Sequence, residues 1–235
     1  MREAVFENFL NLIYPRRCPV CQEILDDQNS VICEGCRKMI SPIRGSRCFK
    51  CGRPVAETAE YCQDCCKDTH IFDQGQGIFL YDDRMKYSIM RYKYSGCREY
   101  SRFYAKSMQV YAGHKIKEWK IQLIVPVPLY SADQRKRGFN QAGAIARELS
   151  VYTRIPYSEI VAKVNRTKHQ KELSASMRRQ NLREAFYVAD SVKGLNILIV
   201  DDVYTTGATM DAMAQCLKEK GAEKVCFLTV CTAIR

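Results

Sequence analysis

Four Cys-x-x-Cys pairs crowd the first 65 residues: Cys18/Cys21, Cys33/Cys36, Cys48/Cys51 and Cys62/Cys65, with gaps of eleven, eleven and ten residues between them. Two thiolates separated by two residues place both sulfurs on one Zn²⁺, and two such pairs close a tetrahedral four-cysteine site. Small residues inside or after the pairs, as in CEGC and CFKCG, suit the tight turn this requires. Pairing of neighbours gives one zinc on Cys18, Cys21, Cys33 and Cys36 and another on Cys48, Cys51, Cys62 and Cys65. Crossed pairing, first pair with third, satisfies the same chemistry. Cys66 is a spare thiol or a substitute ligand. Redox chemistry works through a single such motif at a helix start in a thioredoxin-like pattern, which four evenly spaced copies do not resemble. A segment this short has little apolar core, so bound metal supplies much of its folding energy, and its role is interaction or architecture rather than catalysis.

The chain of 235 residues is 46% hydrophobic, enough for two unequal domains. We place them at 1–70, with the cysteine pairs, and at 71–235. No apolar run is long enough to span a bilayer, and the start, MREAVFENFLNLIYPRR, lacks a secretory pattern. The expected location is the cytoplasm, where a reducing environment favours thiol–metal sites over disulfides for thirteen cysteines.

The second constraining segment is NILIVDDVYTTGATM, Asn196 to Met210. Its apolar run reads as a buried strand that ends in Asp201 and Asp202, and a turn of Thr205, Thr206, Gly207, Ala208 and Thr209 opens a helix. Free N–H groups at a helix start, Thr hydroxyls and a glycine suit a phosphate dianion. Adjacent carboxylates would repel that phosphate and suit hydroxyls instead. A phosphorylated ribose satisfies both halves; an ordinary buried strand and polar turn is the plain alternative.

Charge is uneven. Residues 1–70 carry ten Lys/Arg and ten Asp/Glu, so the net +11 belongs to the remainder. Residues 84–120 hold ten basic and two acidic side chains interleaved with Tyr87, Tyr92, Tyr94, Tyr100, Phe103, Tyr104, Tyr111 and Trp119. Basic charge with exposed rings is what single-stranded nucleic acid requires, yet aromatics at helical spacing generally face a core. The pattern predicts strands at 77–81, 122–127, 160–164, 197–201 and 224–231. Helices are expected at 85–94, 100–111, 140–151 and 206–220, with a basic loop or helix at 174–183. Such alternation implies βαβ crossovers and a mainly parallel sheet with its ligand at the carboxyl ends of the strands.

LIVDDVYTTGATM resembles the 13-residue phosphoribosyl pyrophosphate (PRPP) signature of type I phosphoribosyltransferases. The whole order of motifs is similar to the ComF family: four cysteine pairs, KYSG at Lys93–Gly96, VPVPL followed by RGFNQA, RTKHQKELS followed by RRQNLREAF, and the PRPP segment. The resemblance implies a double zinc-ribbon module ahead of a type I phosphoribosyltransferase-like α/β domain, its mainly parallel sheet flanked by helices. It implies a cytoplasmic role in natural transformation on internalised single-stranded DNA, with PRPP, Mg²⁺ and competence or recombination proteins as ligands and partners. By position, Asp201 and Asp202 would hold ribose hydroxyls directly or through Mg²⁺, and Thr205 to Thr209 the 5-phosphate. Arg137, after the strand at 122–127, would steady pyrophosphate with a lid spanning 165–186, where Arg166, Lys168, His169, Lys171, Arg178 and Arg179 stand. No segment announces base recognition. The alternatives are therefore a PRPP-binding DNA-handling protein, an active phosphoribosyltransferase on a small base or amine, or a PRPP-sensing regulator.

Overall fold

The computed structural model describes residues 15–27, 29–163 and 186–234. The cysteine-rich region is one small structure built twice. In each copy the first pair sits on a tight hairpin. Cys18 N–H donates to Glu23 O (2.8 Å) and Gln22 N–H to Cys18 O (2.9 Å); Cys48 N–H donates to Arg53 O (2.8 Å) and Gly52 N–H to Cys48 O (2.9 Å). The second pair opens a short helix, α1 (Glu34–Met39) with Cys33 at its N-cap and α2 (Gln63–Lys67) with Cys62 there. The hairpins turn through a left-handed residue at matching positions, Gln22 and Gly52, each at φ 70°.

Beyond them run β1 (Gln74–Leu80), α3 (Asp83–Tyr94), α4 (Tyr100–Glu118), β2 (Leu123–Pro126), α5 (Ser131–Arg137) and α6 (Gln141–Thr153). They are followed by β3 (Val161–Lys163), β4 (Phe186–Val188), β5 (Asn196–Tyr204), α7 (Ala208–Glu219) and β6 (Lys224–Thr232). The main sheet has the order β1-β6-β5-β2 and is parallel throughout. Its central strands are almost wholly apolar because both faces are covered. On one face Leu198, Val200, Cys226 and Leu228 pack with α3, α4, α6 and the first cysteine module. On the other, Ile197, Ile199, Val225 and Phe227 pack with α7, β3–β4, Phe72 and the second module. The modules also shield the edge strand β1. Gly75 N–H donates to Lys50 O at 2.8 Å, Ile43 N–H to Ile78 O at 2.9 Å, and Arg47 reaches Gly77 O at 3.0 Å.

Three elements differ from the pattern-based reading. Strand 160–164 does not join the main sheet. Val161–Lys163 pairs antiparallel with Phe186–Val188, while the preceding residues continue along β2 through the Ile124–Tyr157 bridge. Residues 131–137, where the sequence pattern assigns no element, form α5, whose basic last turn complements the helix dipole and whose end is set by left-handed Gly138. β5 runs through both acids to Tyr204 because β6 supplies partners that far, Val203 opposite Cys231 and Tyr204 opposite Thr232. Among the flagged aromatics, Tyr92, Tyr100, Phe103, Tyr104 and Trp119 are buried; Tyr87, Tyr94 and Tyr111 are exposed. Residues 174–183 and the cationic residues expected in the lid lie outside the described residues.

The matching left-handed turns are not equivalent. A Cβ on Gly52 would run into the Gly75 carbonyl oxygen and lie 2.7 Å from Gln76 Cα, whereas Gln22 carries its side chain out against Arg91. Gly52→Ala is therefore expected to cost about 2 kcal/mol or more, through the left-handed turn and the clash with β1. Gln22→Gly should change stability by less than about 1 kcal/mol. Chemical denaturation of both variants checks this; equal losses would show that ribbon and strand do not depend on the close approach.

Candidate functional site

Successive residues of a strand point to opposite faces, and β5 uses this to separate its two acids. Asp202 is buried, and its Oδ2 takes Lys93 Nζ at 2.9 Å. Burial works against the charge on Lys93, but the Asp202 carboxylate outweighs it and holds the ammonium above its ordinary value. Asp201 is half-buried and folds back, its Oδ1 accepting the Asp202 N–H at 2.8 Å. Burial and the neighbouring negative charge push Asp201 up to about 7, against the pull of the Asp202 N–H, Lys93 and Lys163. A cation or a pair of hydroxyl donors placed there would restore its full charge.

Beyond Tyr204 the chain turns sharply. Thr205 and Thr206 are exposed, Gly207 is buried at φ 85°, and α7 begins at Ala208, whose N–H donates to Thr206 Oγ1 at 3.3 Å. A Cβ on Gly207 would lie 2.8 Å from both His70 Cε1 and the Tyr204 hydroxyl, so only glycine fits. Under the loop Asp211 receives His70 Nδ1 at 2.8 Å and Ile71 N–H at 2.7 Å. Arg53, from the second cysteine module, hydrogen-bonds the Thr205 carbonyl and ion-pairs with Asp64. The first turn of α7 thus meets solvent beside exposed hydroxyls, an arrangement that can hold an anion.

Arg137 lies on the same side as Lys93, its guanidinium 5.3 Å over the Tyr94 ring and 3.3 Å from Gln141 Oε1. Arg98 clamps the α5–α6 turn, donating to Gly138 O at 2.6 Å and covering the Phe139 ring at 4.9 Å. The tertiary structure therefore adds Lys93, Arg53, His70, Asp211 and Lys163 to the residues picked from sequence. Lys93 had a visible signal, the KYSG segment. Arg53 had none, since the carbonyl it binds is 152 residues away.

The eight paired cysteines gather as neighbours, Cys18, Cys21, Cys33 and Cys36 in one cluster and Cys48, Cys51, Cys62 and Cys65 in the other, each with its sulfurs within 4.8 Å. Crossed pairing is excluded. Sulfurs on one tetrahedral zinc at about 2.3 Å stand about 3.8 Å apart; Cys21–Cys33 and Cys51–Cys62 measure 3.7 and 3.6 Å. A hydrogen bond from Cys51, against the effect of burial, and N–H donors hold Cys48 down to about 4, while Cys51 is driven far up. Four soft donors at this spacing, one in each cluster at a helix N-cap, fit a structural Zn²⁺ and leave no open position.

Residues 9–66 match the Double zinc ribbon domain family and residues 134–235 the Phosphoribosyl transferase domain family. Competence protein F of Haemophilus influenzae is 32% identical over 93% of this chain and 96% of its own. Competence protein ComFC of Bacillus subtilis is 32% identical over 81% of this chain and 79% of its own. The chain belongs to the ComF family. DNA utilization protein YhgH of Salmonella typhimurium is 29% identical over 95% of this chain and all of its own. This ComF-family chain thus joins two zinc-ribbon sites to a phosphoribosyltransferase-like parallel sheet, and none of its described helices is long and apolar enough to cross a membrane.

Lys93 is four-fifths buried against Asp202, so its loss strands a buried carboxylate. Lys93→Met should destabilise the fold by about 3 kcal/mol, measured by urea unfolding at neutral pH. A loss below about 1 kcal/mol would mean that water or Asp201 takes over the pairing.

Proposed function

We propose that this ComF-family chain binds PRPP with Mg²⁺ at the carboxyl end of β5 and acts in the cytoplasm on single-stranded DNA, within the competence or recombination machinery. The observation that carries the reading is the join between β5 and α7. Asp201 and Asp202 end the central strand, and within a few residues exposed Thr205 and Thr206 and a glycine-capped helix follow. Asp201 and Asp202 would take the ribose hydroxyls, directly or through Mg²⁺, and Thr205 to Thr209 the 5-phosphate. Arg137, with Lys93 beside it, would face the pyrophosphate. Bound Mg²⁺ would neutralise phosphate charge and bring Asp201 to its ionised form. Residues 1–70 then serve as scaffold for the binding body 71–235.

Support for DNA comes from the outer face of α3. Tyr87, Met90 and Tyr94 are exposed at helical spacing, with Arg84 and Lys86 exposed beside them, and the stripe ends where Arg137 covers Tyr94. Rings for stacking flanked by cations are what a single strand uses.

A second reading, active transfer to a small base or amine, has one specific observation in its favour. A cavity of about 310 Å³ opens among Pro126, Gln134, Asn140, Glu159 and Lys163. Asn140 Oδ1 is buried there without a hydrogen-bond partner among the described residues. Two oxygen acceptors, Asn140 and Glu159, suit a ligand with N–H donors.

Asp201→Ala combined with Asp202→Ala is expected to abolish PRPP binding in calorimetry while zinc content stays at two per chain. Retained affinity would reduce the loop to a relic of the fold. Pyrophosphate release with PRPP and a panel of bases and amines, without DNA affinity, would favour the second reading. For DNA, Tyr87→Ala with Tyr94→Ala should weaken binding to an oligo-dT about tenfold or more. Wild-type affinity should fall steeply with salt; insensitivity to either change would remove α3 from the interface.

A further inference from the structure

The side of the phosphate loop that faces away from solvent is built by the second zinc ribbon. Arg53 stands two residues after Cys51 and is 6% exposed. Its guanidinium is held by Asp64, which lies between the ligands Cys62 and Cys65 on α2, and reaches the Thr205 carbonyl. It also covers the Tyr204 ring at 5.1 Å. The hairpin that carries Arg53 is closed by its own carbonyl, which accepts the Cys48 N–H at 2.8 Å. Arg53 and the Asp64 that holds it are therefore both positioned by thiol-bearing turns of one metal centre, and Thr205 is the loop's end of the contact. A second contact comes from His70, just past the last ligand, whose ring together with the Tyr204 hydroxyl pinches Gly207 from below.

The consequence follows from the planar trans peptide. The carbonyl of Thr205 and the N–H of Thr206 belong to one plane and point in opposite directions. Arg53 draws the carbonyl inward toward the ribbon, so the Thr206 N–H is directed outward, where Thr206 is exposed. A loop without that restraint would be free to turn an electronegative oxygen toward an arriving phosphate. Removing either acceptor leaves a buried guanidinium short of a partner, so movement on either side weakens the contact.

We propose that the second ribbon is a strut for the phosphate loop, with Arg53 as its positioning residue, and that metal at Cys48, Cys51, Cys62 and Cys65 and a 5-phosphate on the loop stabilise one another. This rests on the PRPP reading of the loop. Coupling between two sites is reciprocal, which supplies two independent readouts on the full chain with both zinc ions bound. The first is calorimetric titration with ribose 5-phosphate, PRPP and inorganic pyrophosphate. Arg53→Ala should weaken ribose 5-phosphate and PRPP by the same factor, about tenfold, and leave pyrophosphate binding and zinc content unchanged. General damage to the fold would weaken all three. The second is zinc release to a chromogenic chelator: saturating ribose 5-phosphate should slow one of the two zinc ions in the wild type and neither in Arg53→Ala.

Unchanged ribose 5-phosphate affinity in Arg53→Ala, or zinc release that ignores the ligand in the wild type, overturns the strut. If Arg53→Ala loses zinc or unfolds, Asp64→Asn decides, since it keeps all four thiols and the guanidinium but removes the charge that holds it. Selective loss of ribose 5-phosphate binding supports the inference, and full retention overturns it. A wild type that binds neither ribose 5-phosphate nor PRPP instead refutes the reading of the loop, and the strut falls with it.

Discussion

A parallel sheet must be dry on both faces, because its strands carry apolar side chains in both directions. Among the described residues α3, α4 and α6 cover one face, and α7 and the short β3–β4 pair serve the other. The cysteine modules complete the cover, one on each face. Cys18, Leu25, Ile32 and Cys36 enter the first core, and Cys48, Cys51 and Phe72 the second. A ribbon has too little apolar surface to fold alone and gains its shape from metal. Its metal centres thus stabilise the ribbons and, through them, a sheet that needs cover.

The same placement explains the chemistry at the strand ends. β5 carries its acids past the point where β2 stops, so Asp201 and Asp202 project where the sheet opens. Lys93 arrives from α3 to neutralise the buried one, and Arg137 from the end of α5 adds a second cation next to Lys93. The loop after Tyr204 rests on His70 and Arg53, which belong to the cysteine-rich end of the chain. Anionic, cationic and amide-lined parts of the site are thus supplied by elements far apart in sequence, all converging at one edge of one sheet.

Much of this was legible beforehand for definite reasons. The eight metal-binding thiols announce themselves because zinc geometry imposes a fixed local spacing. The strand-to-helix join of Asn196 to Met210 is equally local, since strand, acids, glycine turn and helix start are consecutive. Helix and strand positions in 71–235 followed from periodicity, to within a few residues for most elements. The misses were of another kind. The length of β5 depends on how far β6 runs beside it. The exclusion of 161–163 from the main sheet depends on its pairing with 186–188, and α5 owes its end to Gly138.

The sequence by itself determined the metal chemistry, the alternation that makes a parallel sheet, and the loop chemistry suited to a phosphate, since each is set by neighbours within about twenty residues. Only the tertiary structure decided that cysteine pairs close with their neighbours, that Lys93 belongs to Asp202, and that Arg53 reaches Thr205. The last two are contacts between residues widely separated along the chain, and packing on the two faces of the sheet chooses them; the first is a choice among ligand sets that spacing alone leaves equal. Spacing specifies a ligand set; it does not say which face of the sheet the finished ribbon will cover.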